Sequence, residues 1–254
     1  MRYIQNEEIT LALEPRGSGD STVLFAHGWI SSRRMWYDVV ERLDPRRFRS
    51  LLLDFRGAGL SDRPASGHDF PGYLSDLEAA LAASGGAVLV AHSMGGKLAQ
   101  YLATARPTAL RKLILVAPGT ADAYAMNPKH RALAEDAFGS RARIEAFQRA
   151  AMRREVEPEV MERIVDDALV AQREAWFGWY DHGRTVAFAD RLERIAVPTV
   201  VVAGEHDPLA PPARVKRSVA ERIGGALFVS LRNAGHNLPV ETPDEVAGVI
   251  ERFA

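Results

Sequence analysis

One serine in this chain stands in a context that could make it a nucleophile. Ser93 lies between an apolar run, residues 87–90, and an amphipathic stretch, residues 97–105. A strand that ends at Ala91 and a helix that begins near Met94 would hold this serine on a sharp strand-to-helix turn, a nucleophile elbow. Such a turn strains the serine backbone and lifts the hydroxyl above the edge of a sheet. The simpler interpretation is that Ser93 caps the helix.

Small residues flank the serine at the positions where an elbow requires them. The backbones of strand and helix approach closely two residues before and two residues after the serine. Ala91 and Gly95 occupy these positions, although glycine is the commoner residue at the first. The helix N-terminus would also aim unpaired N–H groups at any nearby oxyanion. Taken alone, the segment 91–96 fits a catalytic serine and a capping serine alike.

Serine becomes an effective nucleophile when a base removes its proton and a carboxylate orients that base. Two later segments of the chain supply candidates for these roles. Residues 200–208 form an apolar run that enters a turn presenting Asp207. Residues 229–237 form a strand and a loop presenting His236. The sequence therefore predicts that these two side chains meet the serine.

Apolar runs and amphipathic segments alternate along the chain, which is typical of parallel strands with crossover helices. The first strand is expected at a sheet edge and is followed by a turn at 15–20. Strands are predicted at 9–13, 23–26, 51–53, 87–91, 113–116, 199–203 and 227–230. Helices are predicted at 33–43, 74–83, 94–105 and 243–254.

The alternation stops between residues 120 and 189, where the chain shows charged, alanine-rich, helical stretches and no clear strand. An insertion of this length after a strand is too long for a plain loop. The sequence therefore predicts an α/β core, residues 1–119 and 190–254, with a helical cap, residues 120–189. The cap would cover the carboxyl ends of the strands, where open α/β sheets place their sites.

Five short segments occur in the order found in one known superfamily of enzymes. They are His27-Gly28 after a strand, residues 54–61 after the next strand, the elbow at 91–96, residues 204–207, and Gly235-His236. The chain resembles the α/β-hydrolase superfamily over essentially its full length, and within it small bacterial carboxylesterases. The resemblance implies an α/β-hydrolase fold, with a mostly parallel central sheet flanked by helices and a helical cap.

The resemblance also implies a role for each residue of the predicted cluster. Ser93 would be the nucleophile, His236 the base and Asp207 the orienting acid, in the chain order expected for this architecture. Two backbone N–H groups, those of Met94 and of Trp29, would form the oxyanion hole. Donors of this kind stabilise the transition state of acyl transfer.

Other residues compete for the role of the acid or the base. Glu205 and His206 adjoin Asp207, and Asp122 follows the predicted strand 113–116 at a place where some members of the superfamily carry the acid. Asp207 is favoured because its position at a strand-end turn suits the geometry of a triad.

Several further polar residues near these motifs are expected to have structural roles. The side chains of His27 and His92 are expected to form hydrogen bonds rather than to react. Lys97 is expected on the surface of the elbow helix or in a salt bridge. Glu241 and Pro243 are expected to fix the start of the last helix.

Apolar and aromatic residues near the elbow and in the cap are candidates for binding the substrate, because ligand sites are mostly apolar clefts. Core packing is the alternative for each of them. The candidates are Trp29, Met94, Phe138, Phe147, Trp176, Trp179 and Leu209.

The reaction predicted from these residues is hydrolysis of a small-to-medium carboxylic ester or lactone through an acyl-enzyme on Ser93. One alternative is a carbon–carbon bond hydrolase of the same fold, although Asn237 replaces the tryptophan that often follows the histidine in that group. A second alternative, from another class, is a ligand-binding member of the superfamily that does not turn over its ligand.

Composition narrows the range of partners. The 254-residue chain has a formal net charge of −1, which favours neither nucleic acid nor an anionic membrane, and it has no cysteine for thiolate metal sites. The N-terminus is polar, and no apolar stretch is long enough to cross a bilayer. A cytoplasmic enzyme with a small acyl substrate and no metal or cofactor is expected, with its oligomeric state left open.

Overall fold

A computed structural model describes residues 1–123 and 128–254, so residues 124–127 of the predicted cap lie outside the described residues. An eight-stranded sheet forms its centre, in the order β1-β2-β4-β3-β5-β6-β7-β8. β2 pairs antiparallel with both β1 and β4, and the remaining pairs, from β4 to β8, are parallel. The strands are β1 Arg2–Asn6, β2 Ile9–Arg16, β3 Ser21–Ala26, β4 Phe48–Leu53, β5 Ala87–His92, β6 Leu110–Val116, β7 Thr199–Gly204 and β8 Leu227–Leu231.

Helices cover both faces of this sheet and fill the interval between β6 and β7. The α-helices are α1 Tyr37–Val40, α2 Phe70–Ser84, α3 Ser93–Thr104, α4 Pro128–Ala137, α5 Arg141–Ala151, α6 Pro158–Leu169, α7 Arg173–Asp181, α8 Pro212–Ser218, α9 Leu238–Glu241 and α10 Pro243–Phe253. Short 3₁₀ helices occur at Arg33–Trp36, Gly183–Thr185, Ala189–Arg194 and Ala220–Arg222. Within the described ranges, no helix is both long and apolar enough to span a bilayer.

The central strands are apolar on both faces, because each face is covered by helices. In β3, Leu24 and Ala26 join the cluster that includes α2 and α3, whereas Val23 and Phe25 join the cluster that includes α1 and α10. A strand buried on both sides reads in sequence as a continuous apolar run. The predicted α/β fold with a mostly parallel sheet is confirmed.

The N-terminal part of the sheet differs from the prediction. The edge position expected for the strand at 9–13 belongs to β1, which the sequence analysis did not predict because residues 2–6 are mostly polar and exposed. The turn expected at 15–20 begins later, since β2 continues through Pro15 and Arg16. A proline is tolerated at a ladder position that needs no N–H donor.

The helix predicted at 33–43 is a 3₁₀ turn followed by the one-turn helix α1. Polar contacts hold Arg33 at its start: its backbone N–H donates to Asp54 Oδ1 over 2.7 Å, and its guanidinium donates to Asp54 Oδ2 and Glu14 Oε2. These contacts connect the segment after β3 to β2 and to the end of β4. The periodicity of the sequence gives no indication of them.

The helices between β6 and β7 contribute Ile144, Ile164 and Trp176 to a separate hydrophobic cluster, which also contains Ile30 and Val240. Polar contacts attach them to the segment after β3. Buried Asp167 of α6 accepts hydrogen bonds from Ser32 Oγ over 2.7 Å and from Arg34 Nε over 2.9 Å. Burial raises the pKa of Asp167, although these two donors favour its charged form.

Candidate active site

The backbone at Ser93 has the strained geometry that an elbow requires. Its φ is +49°, in the left-handed region, and it is the first residue of α3 directly after β5. Gly95 permits the close approach of helix and sheet, because a Cβ there would lie 2.6 Å from the carbonyl oxygen of His27. The carbonyl of Ser93 accepts a hydrogen bond of 2.9 Å from the Gly119 N–H. Packing on two sides thus holds the serine in a conformation that costs energy.

The structure brings together the three side chains of the predicted cluster. His236 Nε2 lies 2.9 Å from Ser93 Oγ, and His236 Nδ1 lies 2.7 Å from Asp207 Oδ2. The three residues follow β5, β7 and β8, whose carboxyl ends share one edge of the sheet. A hydrogen-bonded series therefore runs from a buried carboxylate through an imidazole to the hydroxyl.

Asp207 is held in its ionised form. Burial alone raises the pKa of this carboxyl, but the His236 ring and the N–H groups of Ala210 and Leu209 outweigh burial, so the pKa lies below its ordinary value. Both N–H groups donate to Asp207 Oδ1 over 2.8 Å. With Oδ1 occupied in this way, Oδ2 remains available to orient the imidazole.

The competing acids lie elsewhere. The carboxylate of Glu205 is half exposed and accepts the Asn233 N–H, and the His206 ring lies 3.5 Å from it. The carbonyl of Asp122 accepts a hydrogen bond from Lys97. Asp207 is therefore the candidate acid that bonds to the His236 ring.

Glu241 fixes the backbone on both sides of His236. Its Oε2 accepts the N–H groups of Gly235, Arg153 and Arg154 over 2.9, 2.7 and 3.0 Å, and its Oε1 accepts the Asn237 N–H over 2.9 Å. The expectation that Glu241 fixes the start of the last helix is incomplete. The one-turn helix α9 carries this buried carboxylate back to the loop, which a distant sequence position does not indicate.

The same loop is bonded to the segment between α5 and α6. The N–H of His236 donates to the carbonyl of Ala151 over 2.8 Å. The Glu241 carboxylate, which accepts from this loop, also accepts the N–H groups of Arg153 and Arg154. Asn237 Nδ2 also donates to Gln148 Oε1 of α5 over 2.9 Å. The orientation of His236 thus depends on residues of the region predicted as a cap.

Two further histidines bond to backbone near the cluster. His27 Nδ1 lies 2.7 Å from the Gly28 carbonyl oxygen, and His27 Nε2 accepts the Phe55 N–H over 3.1 Å. Because a carbonyl only accepts and an amide only donates, this ring is neutral with its proton on Nδ1. Burial lowers the pKa of His27, which agrees with that state. The ring thus holds the segment that carries Trp29.

The His92 ring lies directly behind His236. Its Nε2 is 3.0 Å from the carbonyl oxygen of His236, so Nε2 carries the proton and donates. Burial, assisted by the neighbouring His236 ring, lowers the pKa of His92 to about 3. His92 is therefore a neutral support for the His236 backbone.

A cavity of ≈ 140 Å³ opens onto Ser93 and His236. Five of the predicted substrate-binding residues line it: Trp29, Met94, Phe147, Trp179 and Leu209. The Trp29 ring packs against Phe147 and Tyr180, with ring centroids 5.9 and 4.3 Å apart. The segment after β3 and the helices α5 and α7 thus form one aromatic wall.

Two of the predicted substrate-binding residues, Phe138 and Trp176, are not among the described residues that line this cavity. Trp176 is fully buried, and its Nε1 donates to the Ala134 carbonyl over 3.1 Å. The Phe138 ring packs against it, with centroids 5.4 Å apart. Both side chains belong to the apolar interior of the helices between β6 and β7.

The expectation that Lys97 lies on the surface of the elbow helix was wrong, and among the described residues it forms no salt bridge. Lys97 is 2% exposed, and its ammonium donates to the carbonyl oxygens of Arg184 and Asp122 over 3.0 and 3.2 Å. Burial, followed by repulsion from Arg184, lowers its pKa to about 8. Sequence analysis missed the arginines Arg184 and Arg214, which line the cavity together with Lys97.

Comparison with known proteins identifies a family. A model described as the alpha/beta hydrolase fold matches residues 21–243. The AB hydrolase superfamily protein YisY of Bacillus subtilis is 28% identical over 99% of this chain and 98% of its own length. A non-heme chloroperoxidase of Streptomyces lividans is 27% identical over 87% of each chain. An esterase from Exiguobacterium antarcticum superimposes with a TM-score of 0.89 over 99% of this chain and 98% of its own, at 22% identity, which shows the fold.

Replacing Glu241 by glutamine should loosen the His236 loop. An amide nitrogen cannot accept, so at least one of the four N–H groups loses its partner, which costs about 1–3 kcal/mol of unfolding free energy. Urea unfolding and hydrogen exchange at residues 235–237 measure the change. Glu245→Gln is the matched control, because its carboxylate forms an exposed ion pair with Arg154. Wild-type stability and protection in Glu241→Gln would refute this role.

The neutral His92 ring should make folding sensitive to acid. Below its ordinary pKa of 6.5 the unfolded chain binds a proton that the folded ring excludes down to about pH 3. The free energy of unfolding should fall by about 2 kcal/mol from this group between about pH 7 and pH 5. The His92→Gln variant should lack this part of the dependence of the unfolding free energy on pH. Urea unfolding at a series of pH values measures this dependence, and the exposed His206→Gln is the control. The same dependence in wild type and in His92→Gln would contradict the prediction.

Proposed function

Because the chain belongs to the alpha/beta hydrolase fold family and is a hydrolase, we propose that it cleaves a small-to-medium carboxylic ester or lactone. Ser93 is the proposed nucleophile, His236 the base and Asp207 the orienting acid. The observation that carries the proposal is the hydrogen-bonded series of these three side chains, with distances of 2.7 and 2.9 Å.

In the first step, His236 Nε2 takes the proton of Ser93 Oγ while this oxygen attacks the carbonyl carbon of the substrate. Asp207 stabilises the imidazolium that forms. The negative charge moves to the carbonyl oxygen, where the proposed donors are the backbone N–H groups of Met94 and Trp29. Such preorganised donors act on charge that develops only in the transition state.

In the second half of the reaction, the bond between the carbonyl carbon and the alcohol oxygen breaks, and the imidazolium gives its proton to that oxygen. The acyl group remains on Ser93. His236 then deprotonates a water molecule that attacks the acyl carbon, and Ser93 Oγ leaves and recovers its proton from His236. The carboxylic acid and the free enzyme result.

The proposal includes the division of the chain into a core, residues 1–119 and 190–254, and a cap, residues 120–189. Phe147 and Trp179 reach the cavity from the cap, and Leu209 reaches it from the core. The volume of ≈ 140 Å³ is comparable to an engineered cavity that holds benzene. A short acyl chain suits this space.

Ser93→Ala should abolish ester hydrolysis, because no other group can form the acyl-enzyme. We expect kcat on p-nitrophenyl butyrate to fall by at least about 10³-fold. Asp207→Asn should also lower kcat strongly, because an amide does not hold the imidazole in the same tautomer. A fluorophosphonate should add to wild type, as read by intact mass, and not to Ser93→Ala.

Ser230→Ala, in the exposed part of β8, is the matched control and should keep wild-type activity. Full activity in Ser93→Ala would refute the mechanism. A folded wild-type protein that takes no fluorophosphonate would favour the ligand-binding alternative.

Leu209→Ala should change the preference for acyl length. The substitution enlarges the cavity, and the Leu209 N–H that Asp207 accepts is retained because it belongs to the backbone. A panel of p-nitrophenyl esters from acetate to decanoate should show a wild-type optimum at short chains. In the variant, kcat/KM for the medium chains should rise about tenfold relative to acetate. An unchanged profile would place the acyl chain elsewhere in the cavity.

A further inference from the structure

The cavity beside Ser93 has a one-sided charge. Three of its described lining residues are cationic: Lys97 of α3, Arg184 of the 3₁₀ helix Gly183–Thr185, and Arg214 of α8. Among the described residues that line it, none is an aspartate or a glutamate. Low-dielectric walls strengthen the field of such a charge set and attract an anion.

The three cations, which we call the anion subsite, form one group. The Lys97 ammonium donates to the carbonyl of Arg184 over 3.0 Å, and both arginines repel its positive charge. Arg214 Nη2 lies 3.3 Å from Thr120 Oγ1, in the loop after β6. Gly119 of this loop packs on Lys97, since a Cβ at Gly119 would lie 3.3 Å from the Lys97 Cβ. The proposed core and the proposed cap therefore both contribute positive charge to the anion subsite.

Lys97 places the anion subsite on the same side of α3 as Ser93. It stands four residues after Ser93, one turn along α3, so its side chain and the nucleophile share the same side of this helix. Its ammonium is buried and contacts carbonyl oxygens; the Asp122 carboxylate favours its charge from outside the cavity lining. A buried ammonium is costly unless a full negative charge compensates it. A substrate anion would provide that charge.

We propose that the anion subsite binds a carboxylate carried by the substrate, so that the preferred ester or lactone has a second, ionised carboxyl group. This inference rests on the proposed function. A carboxylate is favoured over a larger anion because the cavity of ≈ 140 Å³ must also hold the scissile ester. Its two oxygens accept from a guanidinium and from an ammonium at once.

The test compares monomethyl glutarate with the methyl ester of glutaramic acid, a neutral amide of nearly the same shape. Wild type should cleave the carboxylate with a kcat/KM at least about tenfold higher, mainly through a lower KM. Lys97→Met should lose this preference, because its kcat/KM should fall at least about tenfold more on the carboxylate than on the amide. Arg217→Met, on an exposed position of the same helix as Arg214, is the matched control and should retain it.

Three outcomes would overturn the subsite. The first is equal use of acid and amide by wild type. The second is an equal loss on both substrates in Lys97→Met, which would make Lys97 a structural link between α3 and Arg184. The third is an unchanged preference in Arg214→Met, which also carries the test if Lys97→Met does not fold. A comparison of kcat/KM for acetyl glycolate and acetyl glycolamide then decides whether the carboxylate belongs to the acyl part or to the alcohol part of the substrate.

Binding without turnover separates this inference from the proposed function. Glutarate should raise the melting temperature of wild type and slow its labelling by a fluorophosphonate, and Lys97→Met should abolish both effects. If no ester is cleaved but glutarate still stabilises wild type in a Lys97-dependent manner, the hydrolytic proposal fails and the subsite stands. If neutral esters are cleaved and glutarate has no effect, the subsite fails and the hydrolytic proposal stands.

Discussion

The left-handed backbone at Ser93 is the constraint on which the rest of the site depends. A non-glycine residue in that region costs of the order of 1–3 kcal/mol, and it persists only where the surroundings leave no alternative. Here the first turn of α3 lies against the carbonyl groups at the end of β3, with room for no side chain at Gly95. The loop after β6 binds the Ser93 carbonyl from the other side. The parallel sheet therefore does more than support Ser93, because the residues that follow the two strands beside β5 set the conformation of this serine.

The imidazole is positioned differently, through hydrogen bonds rather than close packing. His236 lies in a loop, and a loop holds one conformation only when its backbone donors have partners. Glu241 supplies an acceptor for the residues on both sides of it, and Ala151 accepts the N–H of His236 itself. Ala151 is the last residue of α5, and the Glu241 carboxylate also accepts the N–H groups of Arg153 and Arg154, which follow it. A movement of residues 151–154 would therefore change the position of the His236 ring as well as the shape of the cavity.

Much of the fold and of the candidate site could be predicted because both follow from local patterns. Strands β3 to β7 are buried on both faces, so they appear in the sequence as apolar runs. The residue types around Ser93 follow from the geometry of one turn. The errors concern features that depend on long-range neighbours. Lys97 has the sequence context of a helix surface, yet the 3₁₀ helix Gly183–Thr185 covers it from 87 residues away. Phe138 and Trp176 are as aromatic as Trp179, and only the packing of the helices between β6 and β7 decides which rings line the cavity.

The charge of the cavity is a feature that the composition of the chain could not reveal. With a net charge of −1, the chain as a whole is nearly neutral, and several of its arginines form ion pairs at the surface. Electrostatic energy depends on distance and dielectric rather than on the total charge, so a few charges of one sign around a cavity act more strongly on a ligand there than many charges in water. Lys97, Arg184 and Arg214 converge from three separate elements onto such a space. On the proposal of a carboxylate-binding subsite, the positive side chains that line this small cavity would discriminate between substrates by charge, because apolar contacts alone discriminate weakly between chains of similar size.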